Sequence, residues 1–126
     1  MIHGVGVDLV EIQRFRNGLE RFGERFAHRI LSDVEYEEFL SSRNQAQFLA
    51  KRFAAKEALA KALGTGFKAG LLPRHISIGH DSLGRPLLRC TERAQDMFKE
   101  FAIGASHLSL SDEADFALAY VMLERD

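Results

Sequence analysis

Tryptophan is absent from the 126 residues, and there is one cysteine, Cys90. A lone cysteine cannot close an internal disulfide, so nothing in the chain calls for an oxidising compartment, and a reducing cytoplasm is the simpler setting. No apolar run approaches the roughly 20 residues needed to cross a bilayer, which argues against membrane insertion. The opening MIHGVGVDLVEI has neither the basic nor the apolar region of a signal peptide. Charge of one sign is also missing: 17 Lys and Arg stand against 18 Asp and Glu, for a net charge of −1. A chain so balanced lacks the overall basic bias of a nucleic-acid binder. The length suits one domain, residues 1–126, with one core.

The balance hides a local excess. Arg14, Arg16, Arg21, Arg25 and Arg29 lie in a stretch that holds only Glu20 and Glu24 as acids. A basic patch on a neutral body fits an acidic protein surface or a phosphorylated ligand. A solvated helix face is the alternative.

IHGVGVDLV alternates Val5, Val7 and Leu9 with Gly4, Gly6 and Asp8, which predicts a strand. Helical spacing follows over residues 11–21, with Ile12, Phe15 and Leu19 on one side. Ser32 and Glu35 form a capping-box pattern and predict a helix from Asp33. The longest predicted helix runs from about Phe48 to Leu63, with Gly64 as its C-terminal cap. HISIGHD and PLLRC predict a hairpin around Gly84-Arg85-Pro86. Thr91 is the expected cap of a helix carrying Ala94, Met97, Phe98 and Phe101. Two strands around residues 112–115 close the chain. The fold class is α+β, a mostly antiparallel sheet packed against a long helix.

Two acids stand out. Aspartate is depleted in strands, yet Asp8 lies in one, beside glycines that mark close approach of a ligand or another backbone. It also heads Asp8-Leu9-Val10-Glu11, which reads as a helix cap. Glu57 and Lys61 are one turn apart and would make an exposed ion pair if nothing else engaged them. If Asp8 and Glu57 converge instead, two carboxylates without histidine or cysteine make a hard oxygen site suited to Mg²⁺, or Mn²⁺, shared with substrate phosphates. Lys61 would touch those phosphates, and the Gly64-Thr65-Gly66 loop would let a ligand come close. His3, His28, His75 and His80 lack ligand spacing, and Cys90 reads as a small hydrophobe.

GVGVDLVEI together with RFAAKEALAKALGTG resembles the paired motifs of the phosphopantetheinyl transferases, and within them the short bacterial holo-acyl-carrier-protein synthase type. The likeness extends to Arg29-Ile30-Leu31-Ser32 with Glu35, to Gly84-Arg85-Pro86, and to His107-Leu108-Ser109-Leu110 before Phe116-Ala117. It implies transfer of 4′-phosphopantetheine from coenzyme A to a serine of apo-acyl carrier protein, as part of fatty acid biosynthesis. Asp8 and Glu57 would hold Mg²⁺, and Lys61 would neutralise the phosphate under attack. Arg52 and His107 would meet the nucleotide end, and Gly84, Arg85 and Pro86 would line the adenosine pocket. The resemblance also implies a homotrimer with its sites between subunits, with Arg14 as the main docking arginine for the acidic carrier and Arg21 and Arg25 in support. Many relatives carry a histidine where this chain has Asp112-Glu113, a pair read here as a solvated turn. Two other readings use the same residues: a Mg²⁺-dependent phosphate hydrolase, and a non-catalytic module that binds an acidic helix.

Overall fold

The computed structural model describes all of residues 1–126. Strand β1 (Ile2–Glu11) runs into helices α1 (Ile12–Phe22), α2 (Glu24–Ile30) and α3 (Asp33–Leu40), and then into the long α4 (Gln45–Leu63). A single 3-10 turn, Pro73–His75, leads to β2 (Ile76–His80) and β3 (Pro86–Cys90), then α5 (Glu92–Glu100), β4 (Ile103–Asp112) and β5 (Phe116–Arg125). The order β1-β5-β4 makes a three-stranded sheet and β2-β3 a two-stranded one, with every pairing antiparallel.

Helix α4 is the axis of the molecule. Leu49, Ala50, Ala54, Ala55, Ala58, Leu59, Ala60 and Ala62 are all buried on it, so apolar contacts surround it. Alanine is the best helix former and the smallest apolar side chain, so α4 can sit close to the sheet without loss of helical preference. The closeness is set by Gly4 and Gly6. A side chain on Gly4 would run into the carbonyl of Ala62, and one on Gly6 into the carbonyl of Ala58. The strand glycines therefore admit a helix backbone, not a ligand.

The other face of the sheet stays open. Val5, Val7, Leu9, Phe116, Leu118 and Tyr120 are each between 38 and 62% exposed. Their register places Val7 beside Tyr120 and Leu9 beside Leu118, which makes the apolar surface continuous.

The charged residues of α4 are divided between core and surface. Lys56 is buried and donates to Glu35 Oε1 and to the carbonyl of Ile30, both at 2.6 Å. Glu35 is also fully buried and accepts from Ser32 N at 3.0 Å and Ile78 N at 3.0 Å. The expected capping box is thus present, and its glutamate also binds α3 to α4 and β2. Burial pulls the Lys56 ammonium below the ordinary lysine value, and the Glu35 carboxylate offsets part of that.

Three local expectations give way to longer-range contacts. Pairing with β5 continues to Glu11, opposite Phe116, so Asp8 lies inside the strand and does not cap α1. Helix α4 begins at Gln45, where the Asn44 side chain accepts from Gln47 N. Thr91 makes no side-chain cap; its hydroxyl donates to the carbonyl of His75.

Candidate active site

Asp8 projects from the α4-facing side of β1, the side of Gly6 and Val10. Its carboxylate is mostly shielded, with 15% of the side chain exposed. Oδ1 accepts from Lys61 Nζ at 3.1 Å, and the same ammonium donates to the carbonyl of Val7 at 2.9 Å. Lys61 therefore pairs across elements with Asp8 and not along the helix with Glu57. Asp8 Oδ2 is buried and has no partner. A buried, charged oxygen without a partner is costly unless a cation completes its surroundings.

Glu57, half-buried on α4, is the neighbour that makes this a site. Burial raises its pKa above the ordinary glutamate value, the Asp8 charge raises it further, and Lys61 and Arg14 oppose the shift. Glu57 thus senses the Asp8 carboxylate across the β1–α4 contact. No three His, Cys, Asp or Glu side chains cluster anywhere, so the donor set is two carboxylates. That set fits Mg²⁺, which is commonly held by one or two carboxylates and takes its other ligands from water and substrate phosphate.

Arg14 lies at the rim. Its guanidinium packs 4.8 Å from the ring of Phe53, one helical turn before Glu57, and 5.4 Å from that of Phe15. A cleft lined by Leu9, Val10, Gln13, Arg14 and Asn17 opens beside it. Arg21, stacked on Phe22 at the end of α1, and Arg25, in α2, are both exposed.

Beyond Lys61, Gly64 and Gly66 adopt positive φ, 88° and 64°, with open space where a Cβ would stand. They serve the sharp exit from α4, and the Thr65 hydroxyl turns inward to the carbonyl of Gly66. A second group forms apart from the carboxylates. Arg85, Pro86, Leu87, Ser106, His107 and Leu108 line a cleft of about 350 Å³. His107 Nε2 lies 2.9 Å from Glu124 Oε2. No hydrogen bond, ion pair or shared cleft joins this group to Asp8 and Glu57 within one chain.

Arg52 differs most from expectation. It is buried, lies across the Phe48 ring at 4.3 Å, and donates to Glu38 at 3.4 Å. Its Nε is 3.3 Å from Glu35 Oε2, within ion-pair reach but misaligned for a hydrogen bond. What remains free lines a cleft with Ser42, Asn44, Gln47, Lys51 and His80. Asp112 was missed as a contact residue: it accepts from Gln47 and pairs with Lys51 at 3.5 Å, tying the β4–β5 turn to α4. Only its acidity beside a turn was visible in the sequence. Cys90 is a half-buried thiol that burial pushes up to about 12, which rules out a ready thiolate.

Known proteins resemble this chain over nearly its whole length. The family model described as "4'-phosphopantetheinyl transferase superfamily" matches residues 4–121. A holo-[acyl-carrier-protein] synthase from Thiobacillus denitrificans is 49% identical over 125 residues, covering 99% of this chain and 95% of that protein. The crystal structure of the Neisseria meningitidis holo-[acyl-carrier-protein] synthase superposes with a TM-score of 0.95 at 43% identity, covering 99% of this chain and 100% of that one. The Helicobacter pylori holo-[acyl-carrier-protein] synthase, solved in complex with coenzyme A, superposes at 0.83 with 30% identity, covering 95% and 99%. With both motifs inside the matched span and their acidic residues brought to one β1–α4 contact, the chain belongs to the 4′-phosphopantetheinyl transferase superfamily.

Proposed function

We propose that the protein is a holo-acyl-carrier-protein synthase, moving 4′-phosphopantetheine from coenzyme A to a serine of apo-acyl carrier protein and releasing adenosine 3′,5′-bisphosphate. The observation that carries this reading is Asp8 Oδ2, a buried carboxylate oxygen without a partner, set against Glu57 with Lys61 alongside. Relatives matched over nearly their whole length, each a holo-[acyl-carrier-protein] synthase and one of them solved with coenzyme A, support it.

Asp8 and Glu57 would hold Mg²⁺, with Mn²⁺ as a substitute. The metal would neutralise charge on the pyrophosphate and on the departing bisphosphate. Such a transfer asks the protein mainly for positioning and charge neutralisation. Lys61, whose side chain is 52% exposed, is free to exchange Asp8 for a phosphate oxygen. The backbone from Gly64 to Gly66 bounds the same end of the helix. Glu57, its pKa raised by burial, is the candidate acceptor of the serine proton. At the nucleotide end we assign the Arg85, Pro86 and His107 cleft, with Gly84 in its turn and Arg52 at the neighbouring cleft.

Arg14 would dock the acidic carrier beside the carboxylates, with Arg21 and Arg25 extending the contact. The open apolar sheet face supports a homotrimer, and His107 lies on the strand edge of that face. A neighbouring copy would then complete the site whose two halves lie apart in one chain. No helix is long and apolar enough to cross a membrane, and a cytoplasmic location belongs to the same reading.

The test is the intact mass of apo-acyl carrier protein after incubation with this protein, coenzyme A and Mg²⁺, beside an EDTA control. A gain of one phosphopantetheine group only with metal is expected. An unchanged carrier refutes the proposal. Release of the bisphosphate without any acceptor would mark a hydrolase instead.

A further inference from the structure

The two walls of the cleft between Arg85 and His107 are held very differently. His107 belongs to β4, where it pairs with Met122, and its ring is fixed by Glu124. The opposite wall starts at the tip of a two-stranded hairpin. Its last ladder pair is His80 with Pro86, and a proline has no N–H to give. Leu83, at the tip, is 90% exposed and contributes no packing.

What holds that wall is Asp81. Its Oδ1 accepts from Leu83 N and from Arg85 N, each at 2.9 Å. Its own N–H donates to the carbonyl of Arg85 at 2.9 Å, and its carbonyl accepts from Gly84 N at 3.0 Å. Gly84 takes φ +87°, which a side chain would resist, so the loop closes tightly enough for one carboxylate to reach both donors. Asp81 Oδ2 lies 3.9 Å from Arg85 Nε, so the residue that fixes the Arg85 backbone also draws on its guanidinium. The N–H of Arg85, ahead of the other donors, holds the Asp81 carboxyl below the usual aspartate range, and it stays ionised at neutral pH.

We propose that Asp81 is a positioning residue for the donor substrate: it presets the Gly84–Pro86 turn so that Arg85 and Pro86 face His107 before coenzyme A arrives. This rests on the reading of that cleft as the nucleotide pocket. Asp81 touches no reacting atom, so its effect falls on the binding of coenzyme A and not on the transfer step. A loose turn must be ordered during binding, and that ordering cost is subtracted from affinity.

Steady-state kinetics on the full chain, with apo-acyl carrier protein as acceptor, compare wild type with Asp81→Ala, Asp81→Asn and Arg85→Ala. Asp81→Ala is expected to raise KM for coenzyme A about five- to tenfold, the effect of ordering a few residues on binding, with kcat and KM for the carrier unchanged. Asp81→Asn keeps an oxygen that accepts both N–H groups and should stay within about twofold of wild type. If Arg85→Ala raises KM for coenzyme A and Asp81→Ala does not, the positioning role is wrong and the pocket stands. If neither moves it, the pocket reading falls and takes the proposal with it. If Asp81→Ala lowers kcat, or shifts both KM values alike alongside a lower Tm, the carboxylate serves only the fold and the proposal is overturned.

Discussion

Gly6→Ala is the smallest change that separates the β1–α4 contact from everything else in the molecule. The added methyl would lie 2.8 Å from Ala62 N and 2.9 Å from the carbonyl carbon of Ala58, with the Ala58 oxygen nearer still, whereas ordinary contact begins at 3.4 Å. The obstacles are helix backbone, which cannot rotate aside as a side chain can. The Ala58 oxygen sets the requirement, so either β1 or α4 must retreat by at least about 1 Å. Overpacking of this kind costs about 1–3 kcal/mol, and a backbone obstacle places the change near the upper end, about 3 kcal/mol. With an unfolding entropy near 2 cal/mol/K per residue, Tm should fall by about 10 °C. Asp8 is two residues away on the same strand face, so the retreat also parts it from Glu57. Misplacement of a reacting group by about 1 Å can cost about 100-fold, so kcat should fall about 100-fold. Thermal denaturation and carrier modification at a temperature where the variant is fully folded measure the two effects separately. A variant with a Tm within about 2 °C of wild type and an unchanged kcat would refute both the close packing and its role in aligning the carboxylates.

Glu57→Gln should abolish transfer yet raise Tm at neutral pH. Burial and Asp8 lift the folded pKa of Glu57 above its unfolded value, so ionising it opposes folding; that penalty is complete above the folded pKa and absent below the unfolded value of about 4.3. The gain in Tm should therefore shrink as pH falls towards 4, and a gain that is absent at pH 7 contradicts the argument. Lys56→Met leaves Glu35 buried without its main cation and should cost about 3–5 kcal/mol in urea denaturation, most of it regained in Lys56→Met/Glu35→Gln. A single-variant cost under about 1 kcal/mol would show that Arg52 and the backbone donors suffice for Glu35. Arg14→Glu should raise KM for the carrier protein far more than KM for coenzyme A, and equal effects on both would remove Arg14 from the docking surface.

Much of this was legible because it is local. Period-two alternation gave β1, and the Ser32–Glu35 spacing gave the start of α3. Alanine density and Gly64 gave the helix that carries Glu57. What escaped depends on partners distant in sequence. The i,i+4 spacing suggested a Glu57–Lys61 pair, but the long lysine stem reaches back to β1 and finds Asp8. Lys56 looks like any surface lysine until α3 brings Glu35 over it. Arg52, expected to meet the nucleotide end, has much of its guanidinium committed to Glu35 and Glu38. Asp8 satisfied a capping pattern, and strand pairing out to Glu11 overrode it. Residue types announced a site for a hard cation; which cation-bearing side chain faces which acid is a property of the assembled layers.

The pairing of β1 with β5 has a consequence for the order of assembly. Asp8 is made well before Ala119, the residue that flanks it on β5, and the main chain of Arg125 closes onto that of Met1. The strand can take its final place only after β5 has been made and has left the ribosome. A nascent chain that still lacks β5 therefore has α4 and Glu57 but no fixed Asp8, and the strand made before α4 is the one that settles after it.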